Sequence, residues 1–210
     1  QLLRVILTPL VVVAVLAAYL LGSVPFAVVC SRLFGLADPR SYGSKNPGAT
    51  NVLRSGNTAA AACTLLGDMA KGWLAVFLAK TYGPLLGFGV GLVGIVALAV
   101  FFGHLYPIFL KFKGGKGVAT AAGVLLALDP SLGLITLGIW LAIAFTLRYS
   151  SLAALVAAAT APAIAFVFWG GGTRCLVVGI IAMALIIKHW ANLQRLMAGT
   201  EPKIGGKKKA

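Results

Sequence analysis

The sequence predicts an all-α integral membrane protein of about seven transmembrane helices, one of them short or half-spanning, with the N-terminus outside and the C-terminus in the cytoplasm. Three observations predict it. The first is composition: 60% of the 210 residues are hydrophobic, 10% are charged, and the mean hydropathy is +0.99. Soluble domains average about 45–50% apolar and about 25% charged residues. One small core cannot hide this much apolar surface, so a soluble domain, a disordered chain and a disulfide scaffold are excluded. The second is segmentation. Apolar blocks fall near 5–30, 58–79, 84–110, 117–128, 131–147, 152–169 and 173–187, and a spanning helix needs about 20 such residues. The third is charge asymmetry. With the N-terminus outside, fourteen cations fall on inside segments and three, Arg4, Lys80 and Arg174, outside. That is a strong positive-inside signal, and it requires an odd number of spans.

Each element follows in turn. Leu2–Cys30 is too long for a signal-peptide core and lacks an A-x-A exit, so it is predicted as the first span. Ser31–Asn57 is the one long polar connection, on the inside; loops of that length are usually functional or disordered. The second span carries Asp68 and, three residues on, Lys71, which can pair within the membrane. The block 117–128 is short: twelve residues rise only about 18 Å against a hydrocarbon core of about 30 Å. It reads as a half-helix, or as a span whose first turn starts inside the membrane. Cys30, Cys63 and Cys175 are single and widely spaced. They are predicted to pack as small hydrophobes, with neither a metal site nor a disulfide framework. The whole forms one polytopic domain over 1–210 with a basic tail at 203–210, read as an anionic-lipid contact. The net charge of +14 therefore points to membrane lipids or a phosphorylated substrate and not to nucleic acid.

Four polar segments carry possible chemistry, all on the inner face. Residues 43–54, GSKNPGATNVLR, offer backbone amides, the neutral donors Ser44, Thr50 and Asn51, and the cations Lys45 and Arg54. They read as an anion nest or as a turn-rich loop with an N-cap at Thr50 or Asn51. Residues 103–120, GHLYPIFLKFKGGKGVAT, feed a Gly-rich turn with three lysines, including Lys113 and Lys116, into a helix start. They read as a phosphate cradle or as a basic juxtamembrane loop. The cradle is not a Walker A loop, because Lys116 is followed by Gly117. Arg148, Tyr149, Ser150 and Ser151 end a span and read as an interface anchor or a site edge. In 188–195, His189, Asn192 and Arg195 share a helix face able to bind phosphate or glycerol hydroxyls; the alternative is a terminal amphipathic helix. Only four carboxylates exist. With no paired acids, Ser-His-Asp set or metal cluster, the chemistry would rest on positioning and charge stabilisation.

These motifs, with RYSSLAAL at 148–155, KHWANLQRL at 188–196 followed by Gly199-Thr200-Glu201, and DxxKG at 68–72, resemble the bacterial acyl-phosphate:glycerol-3-phosphate acyltransferases, the PlsY family. The resemblance runs through nearly the whole chain in order and spacing. It implies seven transmembrane helices in the bacterial cytoplasmic (inner) membrane, with the active site facing the cytoplasm. It also implies transfer of a fatty acyl group from acyl phosphate to the sn-1 hydroxyl of glycerol 3-phosphate, giving lysophosphatidic acid and phosphate without a cofactor. By resemblance, Lys116, His189 and Asn192 are the catalytic residues. Ser44, Thr50, Asn51, Arg54, Lys113, Arg148 and Ser151 bind substrate. Two positions depart from the family: Lys45, where Gly is frequent, and Lys188, where Arg is frequent. The His-x4-Asp motif of soluble-donor acyltransferases is missing, since His104 is followed five residues on by Phe109 and His189 by Gln194.

The expected mechanism is direct transfer with no acyl-enzyme. Lys116 and the helix amides neutralise the departing phosphate. The base is either His189 or a substrate phosphate, and the surrounding cations favour the phosphate. A soluble acyl-phosphate synthase is an expected partner. The competing reading is a transporter of a phosphorylated small metabolite, to which broken helices with N-termini facing an anion are also suited. A third is a membrane-anchored protein that only recruits anionic lipid.

Overall fold

A computed structural model describes residues 9–205. Arg4, the lysines at 207–209 and most of the basic tail lie outside the described residues. Ten α-helices run along the described residues: α1 Pro9–Ser23, α2 Phe26–Leu33, α3 Ala49–Leu53, α4 Thr58–Tyr82, α5 Val90–Leu105, α6 Val118–Leu128, α7 Pro130–Leu147, α8 Ser150–Trp169, α9 Thr173–Lys188 and α10 Trp190–Met197. Two 3-10 turns lie at Pro84–Leu86 and Ile108–Leu110. The described residues contain no strand. Among the described residues, four helices are long and apolar enough to cross a membrane, or six if each bent pair is counted as one span; α6 is a shorter apolar helix. The seven apolar blocks therefore each find a helical counterpart. Phe145 and Val167 are 79% and 80% exposed, as side chains facing hydrocarbon should be.

Two of those counterparts are broken rather than straight. Between α1 and α2 the chain bends by 45° at Pro25, which has no N–H to continue the helical ladder. At the break the Val24 N–H donates to the Leu21 carbonyl at 3.2 Å, and the Val24 carbonyl accepts from the Phe26 N–H at 3.2 Å and from Lys71 Nζ at 2.8 Å, so these two acceptors are satisfied in an apolar setting. Between α9 and α10 the bend is 57°, centred on His189. Elsewhere the ends are capped as the residues dictate. The Asp129 carboxylate accepts from the N–H groups of Ser131 and Leu132, with Pro130 opening α7. Asn57 accepts from the Ala60 N–H and starts α4. Helix α3 starts behind Gly48, so neither Thr50 nor Asn51 is its N-cap.

Packing depends on glycine-permitted close approach. A methyl on Gly123 of α6 would overlap the Met69 carbonyl of α4, and one on Gly72 of α4 would overlap the Thr120 carbonyl of α6. Gly22 of α1 and Gly103 of α5 stand in the same relation to Val100 and Tyr19. With lipid as apolar as any side chain, helices associate through such backbone-to-backbone dispersion contacts. The short α6 is thus pressed against α4, and Lys80 at the far end of α4 donates to the last carbonyls of α6, Ala127 and Leu128, at 3.2 and 3.1 Å.

One expectation is corrected. Cys30 of α2 and Cys63 of α4 form a disulfide, with Cα atoms 6.2 Å apart. Only Cys175 is free. Separated by 33 residues, the pair gives no local spacing signal; packing of α2 on α4 creates it.

Candidate functional site

The ends of α3, α5, α7 and α9 meet at one end of the bundle, and the four polar segments meet with them. The Gly-Lys loop folds back on the end of α5: the Gly115 N–H donates to the His104 carbonyl at 3.2 Å. Gly117 has φ +86° and caps α6, a conformation natural to glycine. This turn aims the unpaired first-turn amides and the positive end of α6 toward the loop. Lys116 sits at that mouth, half-buried, and its Nζ donates to Asn192 Oδ1. Burial pushes its amine down to about 8 from 10.5; the Glu201 carboxylate partly offsets this, while the charges of Arg195 and Arg54 add to it.

Asn192 in turn donates from Nδ2 to Glu201 Oε1 at 2.6 Å. The same oxygen accepts from Ser151 Oγ at 2.6 Å, and Oε2 accepts from Arg195 Nε at 2.7 Å. Glu201 is 8% exposed. Burial alone would raise its carboxyl, but the donors Ser151, Asn192 and Arg195 hold it below the usual carboxylate range. A single carboxylate thereby joins α8, α10 and, through Asn192, the Gly-Lys loop. His189, at the break between α9 and α10, is 3% exposed, with Nδ1 at 2.9 Å from the Leu185 carbonyl. Burial brings its imidazole down to about 4 despite that carbonyl and Glu201, with Lys116 adding to the fall. It is neutral at pH 7, with Nδ1–H facing the carbonyl and Nε2 left as an acceptor.

The first polar loop is held from inside by Asn51. Its Oδ1 accepts from the Ser44 N–H at 2.9 Å and from Arg54 Nη1 at 3.4 Å, and its Nδ2 donates to the carbonyls of Pro39 and Tyr42. Asn51 is 2% exposed, so it shapes the loop while Ser44 and Arg54 present its polar face. Thr50 Oγ1 lies 3.1 Å from Ser150 Oγ and links this loop to the start of α8.

Two predicted residues sit apart from this network. Lys113 is exposed at the rim of the Gly-Lys loop. Arg148 donates to the Ile204 carbonyl from Nε and Nη2, at 3.2 and 2.8 Å, and its own carbonyl accepts from the Ile204 N–H, which clamps the segment after Glu201. The two family departures also acquire places. Lys45 adopts φ +56°, a left-handed turn in which glycine is at home. Lys188 reaches the Leu105 carbonyl at 3.3 Å and lies over the Tyr106 ring at 4.1 Å. Sequence reasoning missed Glu201 as the hub; its scarcity among eighteen cations is the signal that could have found it. Asp68 and Lys71 do pair, at 2.7 Å, and are joined by His104, whose Nδ1 lies 3.3 Å from Asp68 Oδ1. The described residues hold no group of three His, Cys, Asp or Glu suited to a metal ion.

Comparison with known proteins bears on what this arrangement does. A family model described as glycerol-3-phosphate acyltransferase matches residues 12–199. A glycerol-3-phosphate acyltransferase of Dechloromonas aromatica (strain RCB) is 67% identical over 200 residues, 95% of this chain and 99% of the relative. One from Laribacter hongkongensis (strain HLHK9) is 58% identical, over 95% of this chain and 98% of the relative. Among solved structures, PlsY, an integral membrane glycerol 3-phosphate acyltransferase, superimposes in its glycerol 3-phosphate form with a TM-score of 0.84 at 36% identity, covering 92% of this chain and 94% of that one. Its lysophosphatidic acid form gives 0.83 at 35% identity.

Proposed function

Because the chain belongs to the glycerol-3-phosphate acyltransferase family, we propose that it takes its acyl group from acyl phosphate and places it on the sn-1 hydroxyl of glycerol 3-phosphate, releasing lysophosphatidic acid and phosphate. The observation that carries this reading is the chain of contacts from Lys116 through Asn192 to Glu201, with Ser151 on the same carboxylate. It sets a cation and the amides of α6 side by side, as a departing phosphate requires.

The proposed reaction is a single displacement. The hydroxyl oxygen of glycerol 3-phosphate attacks the acyl carbonyl carbon, the carbon–oxygen bond to phosphate breaks, and the electron pair leaves with the phosphate. Lys116 and the first-turn amides of α6 stabilise that developing charge. Arg54 and Ser44 hold the phosphate of glycerol 3-phosphate, and Nε2 of neutral His189 accepts a hydrogen bond from a glycerol hydroxyl. His189, held near 4, is a weak base. A phosphate whose second pKa is near 6 is a stronger one, so the attacking hydroxyl gives its proton to substrate phosphate. The four side-chain carboxylates are otherwise engaged: Glu201 by Ser151, Asn192 and Arg195, Asp68 by Lys71, Asp38 by Arg40, and Asp129 as the cap of α7. Glu201 positions Asn192 and Ser151 rather than meeting substrate. The protein is placed in the bacterial inner membrane with the site toward the cytoplasm, where a soluble synthase would supply the donor; the cation asymmetry supports that orientation.

The test offers purified protein glycerol 3-phosphate with palmitoyl phosphate or, separately, palmitoyl-CoA. Lysophosphatidic acid and free phosphate are expected from palmitoyl phosphate alone. Lys116→Ala should lower that rate by about 10²–10³-fold, the usual loss for a transition-state charge partner. Product from palmitoyl-CoA alone would overturn the donor assignment.

A further inference from the structure

Asp68, Lys71 and His104 take no part in the chemistry above, yet they lie beneath it. A small void beside them is closed by Pro47 of the first polar loop and by Gly114 and Gly115 of the second. One buried cluster thus lies against the second of the loops that would hold substrate and shares a void with the first. The three residues are 2%, 2% and 8% exposed. Ionisable groups this deep in a membrane protein are costly and seldom serve packing alone.

We propose that Asp68 and His104 are positioning residues that set the height and direction of Lys116. The inference rests on the reading of Lys116 as the group that meets acyl phosphate. The geometry runs in one line. Lys71 anchors Asp68 at 2.7 Å and the Val24 carbonyl at 2.8 Å, tying the cluster to the break between α1 and α2. Asp68 Oδ1 lies 3.3 Å from His104 Nδ1, with Lys71 on the same oxygen, so the carboxylate's charge bears on the ring edge nearest it. The opposite ring edge lies under Gly115, so closely that a methyl there would overlap Nε2. The carbonyl of the same histidine accepts the Gly115 N–H at 3.2 Å. Ring and carbonyl grip one glycine from two sides, and the next residue is Lys116. A side chain longer than hydrogen at position 115, or a missing ring at 104, moves the lysine.

The test uses full-length protein in detergent and the variants His104→Ala, Gly115→Ala and the two combined. The first readout is the rate at which an amine-acylating reagent modifies Lys116, followed by mass spectrometry against Lys113. It does not depend on which reaction the protein catalyses, so an inactive wild type would sink the proposed function while still deciding this inference. Each single variant should change Lys116 modification by about fivefold or more, with Lys113 unchanged, as expected when one half-buried amine is released. The second readout is kinetic. Each single variant should lower kcat/KM for acyl phosphate by about tenfold or more, the scale of a small misplacement of a charge partner, while KM for glycerol 3-phosphate stays within about twofold. In the double variant the methyl occupies the space the ring vacates, so the losses should be strongly non-additive. Should His104→Ala fail to fold, His104→Asn keeps a donor toward Asp68, removes the edge beneath Gly115, and is read in the same way. Unchanged Lys116 modification in both single variants overturns the proposal, as does a double variant whose loss is the product of the two.

Discussion

Lys116 gives the site an alkaline pH dependence. Its amine is brought to about 8 by burial. It is charged below that pH and loses the proton above it, so stabilisation of the departing phosphate is full below pH 8 and lost as pH rises. We expect kcat/KM for acyl phosphate to fall about tenfold per unit above pH 8. Lys116→Arg keeps its charge throughout and should remove that alkaline limb at a lower plateau; a limb that persists in the arginine variant would assign it elsewhere. Lys45 gives a second prediction. With φ +56° it occupies a conformation that disfavours a β-carbon, so Lys45→Gly should stabilise the fold by about 0.5–1 kcal/mol, read as a rise in Tm of about 2 °C. The motifs singled out residues that the fold brings together: Lys116, Asn192 and Ser151 lie in one chain of contacts, and the charges of Lys116 and Glu201 reach His189. Glu201 was not legible as a hub, because its three donors come from residues 6 to 50 positions away and no local pattern announces them. The roles of Asn51 and Arg148 also depended on partners: one braces its own loop, and the other clamps Ile204.

At the scale of elements, hydropathy located every apolar segment and anticipated the shortness of α6. It could not see the breaks. Apolar character runs unbroken through Val24-Pro25-Phe26, and the Lys71 amine that meets the Val24 carbonyl at the bend comes from 47 residues away. The bend at His189 depends likewise on the imidazole turning back to Leu185. Nor could it see the disulfide between α2 and α4, which tertiary packing alone creates. The α4–α6 contact carries a prediction of its own. Gly123→Ala places a methyl on the Met69 carbonyl, and neither backbone can yield without shifting a helix. The variant should lose about 1–3 kcal/mol of stability, as overpacked contacts do. Thermal unfolding in detergent measures it, and an unchanged Tm would mean that α6 has more room than its packing allows.

Across the whole molecule, the asymmetry of cations gives a topology that labelling can check. A membrane-impermeant maleimide should modify Arg174→Cys in intact cells, in a Cys175→Ser background that removes the neighbouring thiol. Lys203→Cys should be modified only after permeabilisation; the reverse pattern would turn the protein over and place its site outside. Composition made the class legible; the orientation that charge predicts is what this labelling tests. The assembly of the site was not legible, because four segments separated by up to 150 residues meet only when seven helical blocks pack.

Helix α6 has eleven residues and rises about 17 Å, roughly half the hydrocarbon depth. On the proposed reading, this shortfall answers a problem of phase transfer. One reactant dissolves in water and the other is a detergent-like molecule whose tail belongs in the leaflet, so neither enters the other's solvent without a large free-energy cost. A helix that stops partway leaves a notch where the aqueous phase dips toward the acyl region. Its floor carries fixed dipoles and a cation in place of hydration water. The donor keeps its tail among lipids and the acceptor keeps its hydration until the last step. The product, now amphiphilic, leaves sideways into the bilayer.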